Sequence, residues 1–291
     1  MYVDASICHR RRRWSLFQVV TVLWICSLLA SPIAHAQDLA ARFKTSAETS
    51  QITVDHAAFA QLVTQYAVVG QDSVVRVDYR RMKAGGHDAL KAYIAQLTAT
   101  DVATLSKSEQ FAFWANLYNA KTLDIVLDHY PVASIKDISL GGGVFAAFTG
   151  GPWKAKVVTV GGVALSLDDI EHGIMRPVFK DPRVHYAVNC ASIGCPDLPR
   201  APFSGRDLDV QLDDAARAFV NHPRGVTVQR GEVFVSSIYH WYKSDFGGND
   251  EGLLAHLRRY AEPALRAKLA AASEISDHRY DWSLNDVSRQ P

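Results

Sequence analysis

Cysteine is scarce in this chain, and its few positions restrict where thiol chemistry can occur. The 291 residues contain four cysteines. Cys8 and Cys26 lie near the N-terminus, whereas Cys190 and Cys195 share one short segment, residues 185–196, which reads HYAVNCASIGCP. So few cysteines exclude a scaffold built on several disulfides. Any thiol, disulfide or soft metal ligand outside the N-terminal region must come from this segment.

The chain also lacks an excess of charge of either sign. It has 31 basic and 30 acidic side chains, which give a formal net charge of +1. Without residues 1–36, which hold four arginines and one aspartate, 27 basic and 29 acidic side chains remain. Because binding to nucleic acid by bulk electrostatic attraction requires a basic surface, we expect no nucleic-acid partner.

Long apolar runs are absent, with one exception near the N-terminus. Residues 14–30 are largely apolar, follow four arginines at 10–13, and precede Pro32 and the sequence Ala34-His35-Ala36. This order is typical of a secretory signal peptide. An uncleaved membrane anchor is the alternative, since the run is near the roughly 17 residues needed to cross a bilayer. We expect residues 1–36 to be removed, the protein to be periplasmic or secreted, and no stable membrane span to remain.

Export changes the expected state of the two remaining cysteines. An oxidising compartment favours a local disulfide between Cys190 and Cys195. A free reactive thiol and a metal-binding pair are the alternatives.

No phosphate-binding loop, internal repeat or interdomain linker is present. The three glycines at 141–143 lack the strand, helix and lysine of such a loop, and no cofactor is implied. Helical and strand patterns alternate without a clear boundary, which predicts one mixed α+β domain over residues 54–286. Residues 37–53 are predicted to form a flexible leader, and 287–291 a short tail.

The longest predicted helix covers residues 109–129. Ser106 and Glu109 have the spacing of a capping box, and Pro131 ends the helix. The helix is apolar on almost its whole circumference, which predicts a buried core helix packed on a small antiparallel sheet. Asn116 and Asn119 should therefore be buried, where they either brace a neighbouring loop or line a site.

The segment 185–196 is predicted to begin with a strand over 184–188 and to continue as a loop. Alternation along that strand would place His185 on one face, with Asn189 and both cysteines in the loop after it. A short helix capped by Ser166 carries Glu171, which could face the same cleft.

Five motifs in a fixed order resemble an uncharacterised family, domain of unknown function 547. They are FWANLYNAKTL (113–123), SLDDIEHGIMR (166–176), HYAVNCASIGCPDL (185–198), WYKSDF (241–246) and YDWSLN (280–285). The resemblance covers roughly residues 110–285. It implies a fold neighbourhood and supplies no activity.

A looser resemblance is to papain-like and transglutaminase-like folds. Such enzymes place a cysteine at the start of a core helix, then a histidine and an acid or amide on following strands. Helix 109–129, His185 and Asp281 occur in the matching order, but the helix has no cysteine or serine in its first buried turns. The usual nucleophile of those folds is therefore missing.

Three hypotheses about the site follow. In the favoured one, a loop tied by a Cys190–Cys195 disulfide borders a pocket that binds a small molecule or a peptide. The pocket would be lined by polar and aromatic side chains, namely Trp114, Asn116, Tyr118, Asn119, His185, Asn189 and Trp282.

The second hypothesis is a cysteine-dependent hydrolase or acyl-transferase. Cys190 or Cys195 would attack, His185 would accept the thiol proton, and Asp281 or Glu171 would orient the imidazole, with the helix asparagines facing the oxyanion. The third is a zinc site formed by His185 and the two cysteines, with Glu171 or His172 as a possible further ligand, for which the spacing is a weak signal.

Overall fold

The computed structural model describes residues 32–140 and 151–289, with side chains from residue 35 onwards. Most of the predicted signal peptide and the glycines at 141–143 lie outside the described residues. The helices are α1 (Pro32–Phe43), α2 (Ala57–Tyr66), α3 (Tyr79–Gly85), α4 (His87–Thr98), α5 (Lys107–His129), α6 (Asp169–Met175, a wider π-helical turn), α7 (Arg176–Phe179), α8 (Val184–Ala187), α9 (Leu208–Val220), α10 (Ser237–Trp241), α11 (Asp250–Tyr260) and α12 (Pro263–Ala270). The strands are β1 (Ala67–Val69), β2 (Val75–Val77), β3 (Val158–Val160), β4 (Val163–Leu165), β5 (Val226–Gln229), β6 (Glu232–Ser236) and β7 (Asp277–Arg279). These elements confirm the α+β class.

Helix α5 is the centre of the fold, as its apolar circumference predicts. Of its 23 residues, 18 are buried. Ser106 accepts a hydrogen bond from the N–H of Glu109 at 3.3 Å, so the predicted N-cap is present. The Glu109 carboxylate binds neighbouring loops rather than the N-cap residue of its own helix. It accepts the N–H groups of Val54 and Gly205 at 2.8 Å each. The main packing partners of α5 are the helices α3, α4 and α6, and side chains of β2, β3 and β4 lie in the same core.

The strands form three small sheets at the periphery of the helical core. β1 pairs with β2, and β3 pairs with β4, both antiparallel. β6 lies between antiparallel β5 and parallel β7. The β3–β4 hairpin turns at Gly161 and Gly162, whose φ values of 56° and 79° are ones that other residues rarely adopt.

The described residues form two hydrophobic clusters. The first surrounds α5 and includes α2, α4 and α6. The second is formed by α9, α11 and the β5–β6 hairpin. Helix α8 contributes to both, because Val184 and Ala187 pack in the first cluster and Tyr186 in the second. His185 therefore lies at the border between the clusters.

The predicted strand around His185 is wrong. Residues 184–187 form helix α8, with turn-type hydrogen bonds from His185 N–H to Pro182 and from Tyr186 N–H to Arg183. All four side chains of α8 are buried, so they do not show the alternation of buried and exposed side chains that is typical of a half-exposed strand. A short apolar run bounded by turn residues fits a buried helical turn as well as a strand, and periodicity cannot separate them.

The prediction of a flexible leader is also wrong for residues 37–43. Residues 37–43 belong to α1, whose Leu39 and Phe43 are buried in the first cluster at i and i+4. His35, within the predicted cleavage motif, lies 3.0 Å from Asp169. Within residues 32–140 and 151–289, no helix has the length and apolar character needed to span a membrane.

Replacing Leu39 tests whether α1 is an integral part of the fold. Because Leu39 is 2% exposed, Leu39→Ala should lower the free energy of unfolding by about 2–4 kcal/mol. Val210→Ala, at a side chain 65% exposed, is the matched control and should change it by less than about 0.5 kcal/mol. Urea denaturation of both variants measures the difference, and equal stability would show that residues 37–43 do not pack.

Candidate functional site

A cavity of about 290 Å³ opens at the border between the two hydrophobic clusters. Its aromatic lining consists of Tyr118, Trp153, Trp241, Tyr242, Tyr280 and Trp282. Its polar lining consists of Lys154, Asp168, Glu171, His172 and His185, together with Cys190 and Cys195. The motifs quoted above thus meet at one place, although they are separated by more than 150 residues in sequence.

His185 is held between two carboxylates at the base of the cavity. Its Nε2 lies 2.8 Å from Asp245 Oδ2, and its Nδ1 lies 3.5 Å from Glu171 Oε1. Tyr242 stacks on the imidazole with ring centroids 4.2 Å apart, and the histidine side chain is 1% exposed. Arg176 completes the arrangement, donating from Nε and Nη2 to the two Asp245 oxygens at 2.6 and 2.9 Å. We call these four residues, Glu171, Arg176, His185 and Asp245, the charge cluster.

The charge cluster favours ionised forms of its members. Burial opposes protonation of His185, but the hydrogen bond to Asp245 and the nearby carboxylate of Glu171 outweigh it and raise the histidine pKa above its ordinary value. Burial likewise opposes ionisation of Glu171, yet His172 and His185 lower the pKa of that carboxyl. The pKa of Asp245 is lowered too, because His185 and Arg176 outweigh its burial. The four side chains thus favour one another's charged forms in a partly dehydrated site.

This geometry disagrees with the predicted role of His185 as the base for a cysteine. Both imidazole nitrogens face carboxylates, and a charged imidazolium has no lone pair to accept a thiol proton. Among the described residues, no hydrogen bond joins His185 to Cys190 or Cys195. Glu171 does face the imidazole, as one version of the hypothesis expected.

The two cysteines have different surroundings although their sulfurs are 2.8 Å apart. Both are free thiols in this structure, so the predicted disulfide remains a prediction. The sulfur of half-buried Cys190 lies 3.0 Å from Tyr280 Oη and 3.2 Å from Ser192 Oγ. Cys195 is only 3% exposed, and its sulfur accepts the N–H of Cys190 at 3.0 Å.

The two thiols consequently ionise differently. Burial opposes ionisation of Cys190, but hydrogen bonds from Cys195, Ser192 and Tyr280 outweigh it and lower the thiol pKa. Burial and the neighbouring Cys190 raise the pKa of Cys195 well above its usual range. Of the two thiols, Cys190 is therefore the one that ionises more readily.

The asparagines of α5 brace loops rather than line the cavity. Asn119 donates to the carbonyl of Ala187 at 2.9 Å and accepts the N–H of Asn189 at 2.8 Å. Asn116 makes the same two-way contact with the backbone of Phe203, at 2.8 and 3.0 Å. Asn189 spans its own loop, donating to Pro196 O at 2.7 Å and accepting the N–H of Ala191 at 2.9 Å. Because these amides are committed to backbone groups, the predicted oxyanion role for Asn116 and Asn119 is wrong.

Two other predicted site residues lie elsewhere. Trp114 is fully buried and packs edge-on against Phe43 and Phe113, away from the cavity. Asp281 is exposed, and its carboxylate accepts the N–H of Ser283 at 2.8 Å, so it does not orient His185. Of the predicted set, the cavity brings together Tyr118, Glu171, His185, Cys190, Cys195 and Trp282.

The sequence reasoning missed several residues that line the cavity or contact His185. Asp168, Trp241, Asp245 and Tyr280 stand in the quoted motifs SLDDIEHGIMR, WYKSDF and YDWSLN, so these could have been included. Trp153 stands in none of the quoted motifs and carried no distinguishing signal.

The predicted zinc ligands are not brought together as a set. In the part of the chain that the structure describes, one group of three possible metal ligands has its ligand atoms within 4.8 Å of one another: His87, Asp124 and Asp128. Lys121 pairs with Asp124 at 2.6 Å and Lys91 pairs with Asp128 at 2.9 Å, so that group is already neutralised.

Fold and site together define an α+β protein with an aromatic-lined cavity over a buried charge cluster and a dithiol. The family model described as protein of unknown function, DUF547, matches residues 102–220. The match overlaps the region that carries the motifs, and it confirms their resemblance to this family over residues 102–220. No curated protein and no solved structure matches the chain, so the likeness to papain-like and transglutaminase-like folds stays unconfirmed.

Removing Asp245 tests the charge cluster. Asp245→Asn takes away a carboxylate that stabilises the imidazolium, so the pKa of His185, followed by NMR of its ring protons, should fall. The wild-type histidine, with its raised pKa, adds stability below about pH 6.5 that is lost as the pH rises through its folded-state pKa. Asp281→Asn is the control and should leave the titration unchanged. An unaltered His185 pKa in Asp245→Asn would contradict the arrangement.

Proposed function

We propose that this protein is exported and uses the cavity to bind a small organic molecule or a short peptide segment. The observation that carries the proposal is the aromatic wall formed by Trp153, Trp241, Tyr280 and Trp282. Trp282 contacts Trp153 and Trp241 at centroid distances of 5.6 and 5.7 Å, and Tyr280 at 4.6 Å. Grouped aromatic side chains beside a few polar groups are the ordinary composition of a ligand site.

The exposure of Trp241 supports this reading. Its side chain is 44% exposed although it lies next to two other aromatic rings. A large exposed aromatic residue at the mouth of a cavity leaves apolar area in contact with water, which a ligand would cover. A planar or apolar group stacked along the aromatic wall would gain from this burial.

The polar groups indicate which functional groups the ligand carries. Burial raises the pKa of Asp168 despite the opposing charge of His172, and its carboxylate lies 3.9 Å from His172 Nε2. Glu171, in contrast, is engaged by His185. Asp168 thus remains the carboxyl group most available to a ligand, and hydroxyl, amide or amino donors on the ligand fit it.

The loop that carries the cysteines would give one side of the cavity a fixed shape. The sulfurs are within reach of a disulfide, whose bond length is about 2.05 Å, after a small side-chain movement. Export to an oxidising compartment would favour that bond.

The hydrolase alternative has less support from the geometry. His185 lacks a free nitrogen for Cys190, and the α5 amides are used by backbone groups, so neither the base nor the oxyanion donors of the hypothesis are in place. Ligand binding requires neither of them.

Screening for ligands with matched variants tests the proposal. Saturation-transfer NMR with a library of water-soluble aromatic fragments and aromatic dipeptides should find binders of the wild-type protein. Their Kd should rise about tenfold in Trp241→Ala, because the truncated side chain no longer stacks on the ligand. The control Ile52→Ala removes an apolar side chain that is 54% exposed and outside the cavity, and should bind as the wild type does. Binders whose Kd is the same for Trp241→Ala and the wild type, or a library without binders, would contradict the proposal.

A further inference from the structure

The cysteine pair has an asymmetry that a merely structural disulfide does not need. Cys190 is a half-buried residue on the cavity wall, and its sulfur lies beside two hydroxyl groups. Cys195 is almost fully buried, and its sulfur accepts the N–H of Cys190. The two sulfurs lie side by side, so a small side-chain movement brings them into the geometry of a disulfide.

We propose that Cys190 and Cys195 form a redox-active dithiol that exchanges with disulfides entering the cavity, with Cys190 as the attacking and Cys195 as the resolving thiol. The Cys190–Cys195 disulfide is thus made and broken reversibly. This exchange does not depend on the identity of the ligand proposed above, although the substrate disulfide reaches the cysteines through the same cavity.

The loop does not need the disulfide in order to keep its conformation. Asn189 ties the backbone at Ala191 and Pro196, and Asn119 fixes the start of the loop to α5. Backbone hydrogen bonds also join Ile193 to Ser283 and Gly194 to Asp281, each at 2.8 Å. Because these contacts hold the loop in the dithiol state, opening the bond leaves the site in place.

The surroundings of Cys190 supply thiolate character without a general base. Tyr280 Oη and Ser192 Oγ are 2.8 Å from each other and both contact the Cys190 sulfur. Burial raises the pKa of the Tyr280 phenol well above its usual range, so this group stays protonated and can donate its hydrogen. Donors of this kind stabilise a thiolate, the form that attacks disulfides. Disulfide exchange by Cys190 therefore does not require a general base, a role that His185 does not fill.

The reaction has two steps. The Cys190 thiolate attacks one sulfur of a substrate disulfide, R–S–S–R, so that a mixed disulfide forms and one R–S⁻ leaves. The sulfur of Cys195 then attacks the Cys190 sulfur and displaces the second R–S⁻, which takes up the proton that Cys195 loses. The protein dithiol is oxidised by two electrons to the Cys190–Cys195 disulfide, and the substrate is reduced to one thiolate and one thiol. In reverse, the protein disulfide oxidises two thiols.

A redox titration with glutathione tests the inference. Full-length purified protein is equilibrated in mixtures of reduced and oxidised glutathione, quenched with acid and alkylated, and the peptide containing residues 185–200 is analysed by mass spectrometry. We expect the pair to pass from dithiol to disulfide across these mixtures. A disulfide that persists in the most reducing mixture would show a permanent structural bond, and thiols that persist in the most oxidising mixture would show no exchange. Either outcome overturns the inference, while ligand binding and its Trp241 dependence would be unaffected.

Single cysteine variants test the order of attack. Cys195→Ser should accumulate a mixed disulfide between Cys190 and glutathione, because the resolving thiol is missing. Cys190→Ser should form the adduct on Cys195 at least tenfold more slowly. Circular dichroism verifies that both variants fold, and equal adduct rates would contradict the assigned roles.

Tyr280→Phe keeps both thiols and provides a second measurement. Without the phenol hydrogen, the pH midpoint for alkylation of Cys190 by iodoacetamide should rise, whereas Tyr130→Phe, outside the cavity, should leave it unchanged. An unchanged midpoint in Tyr280→Phe would remove the basis for the thiolate.

Discussion

The pairing of buried charges in the charge cluster is the constraint on which the rest of the site depends. A carboxylate and an imidazolium at this depth are stable only if each has an opposite charge within hydrogen-bonding reach, and removing one partner of such a pair typically costs about 3–5 kcal/mol. The four members come from α6, α7, α8 and the turn after α10, so satisfying them fixes how the two hydrophobic clusters meet. Tyr242 then lies flat on the imidazole, and the aromatic wall is placed next to it. The cavity is thus a consequence of the pairing.

The charge cluster and the dithiol are two separate chemical systems in one cavity. Each ring nitrogen of His185 faces a carboxylate, and the two carboxylates favour the protonated imidazole. The ionisation of Cys190 depends instead on neutral donors, the hydroxyls of Tyr280 and Ser192 and the neighbouring thiol. A histidine and a cysteine five residues apart in a motif suggest a nucleophile with its base. Here their spacing reflects a short helix followed by a tight loop, in which each residue has its own partners.

Sequence reasoning named segments that the structure brings together around one cavity, but it misplaced several of their side chains, for physical reasons. The periodic helices, above all α5, and the glycine hairpin after β3 were predictable because local patterns determine them. The helix around His185 was not, since a buried four-residue run has no periodic signal. Asn119 was correctly expected to be buried, but whether an amide braces a loop or faces a ligand depends on tertiary contacts. Asp281 and Asp245 look alike in sequence, and only the path of the chain makes one exposed and the other the partner of His185.

Helix α5 determines the position of the sulfurs through hydrogen bonds of two side-chain amides, those of Asn119 and Asn189. Asn119, buried in α5, binds the backbone on both sides of Val188, and Asn189 in turn binds the backbone of Ala191 and Pro196, the residues that follow the two cysteines. Each amide uses both its donor and its acceptor, so a rotation of either would leave a buried polar group without a partner, at a cost of about 1–3 kcal/mol. This explains how the loop keeps two sulfurs next to each other on a cavity wall. It also accounts for Asn119 in the helix motif, which positions the loop that carries the cysteines.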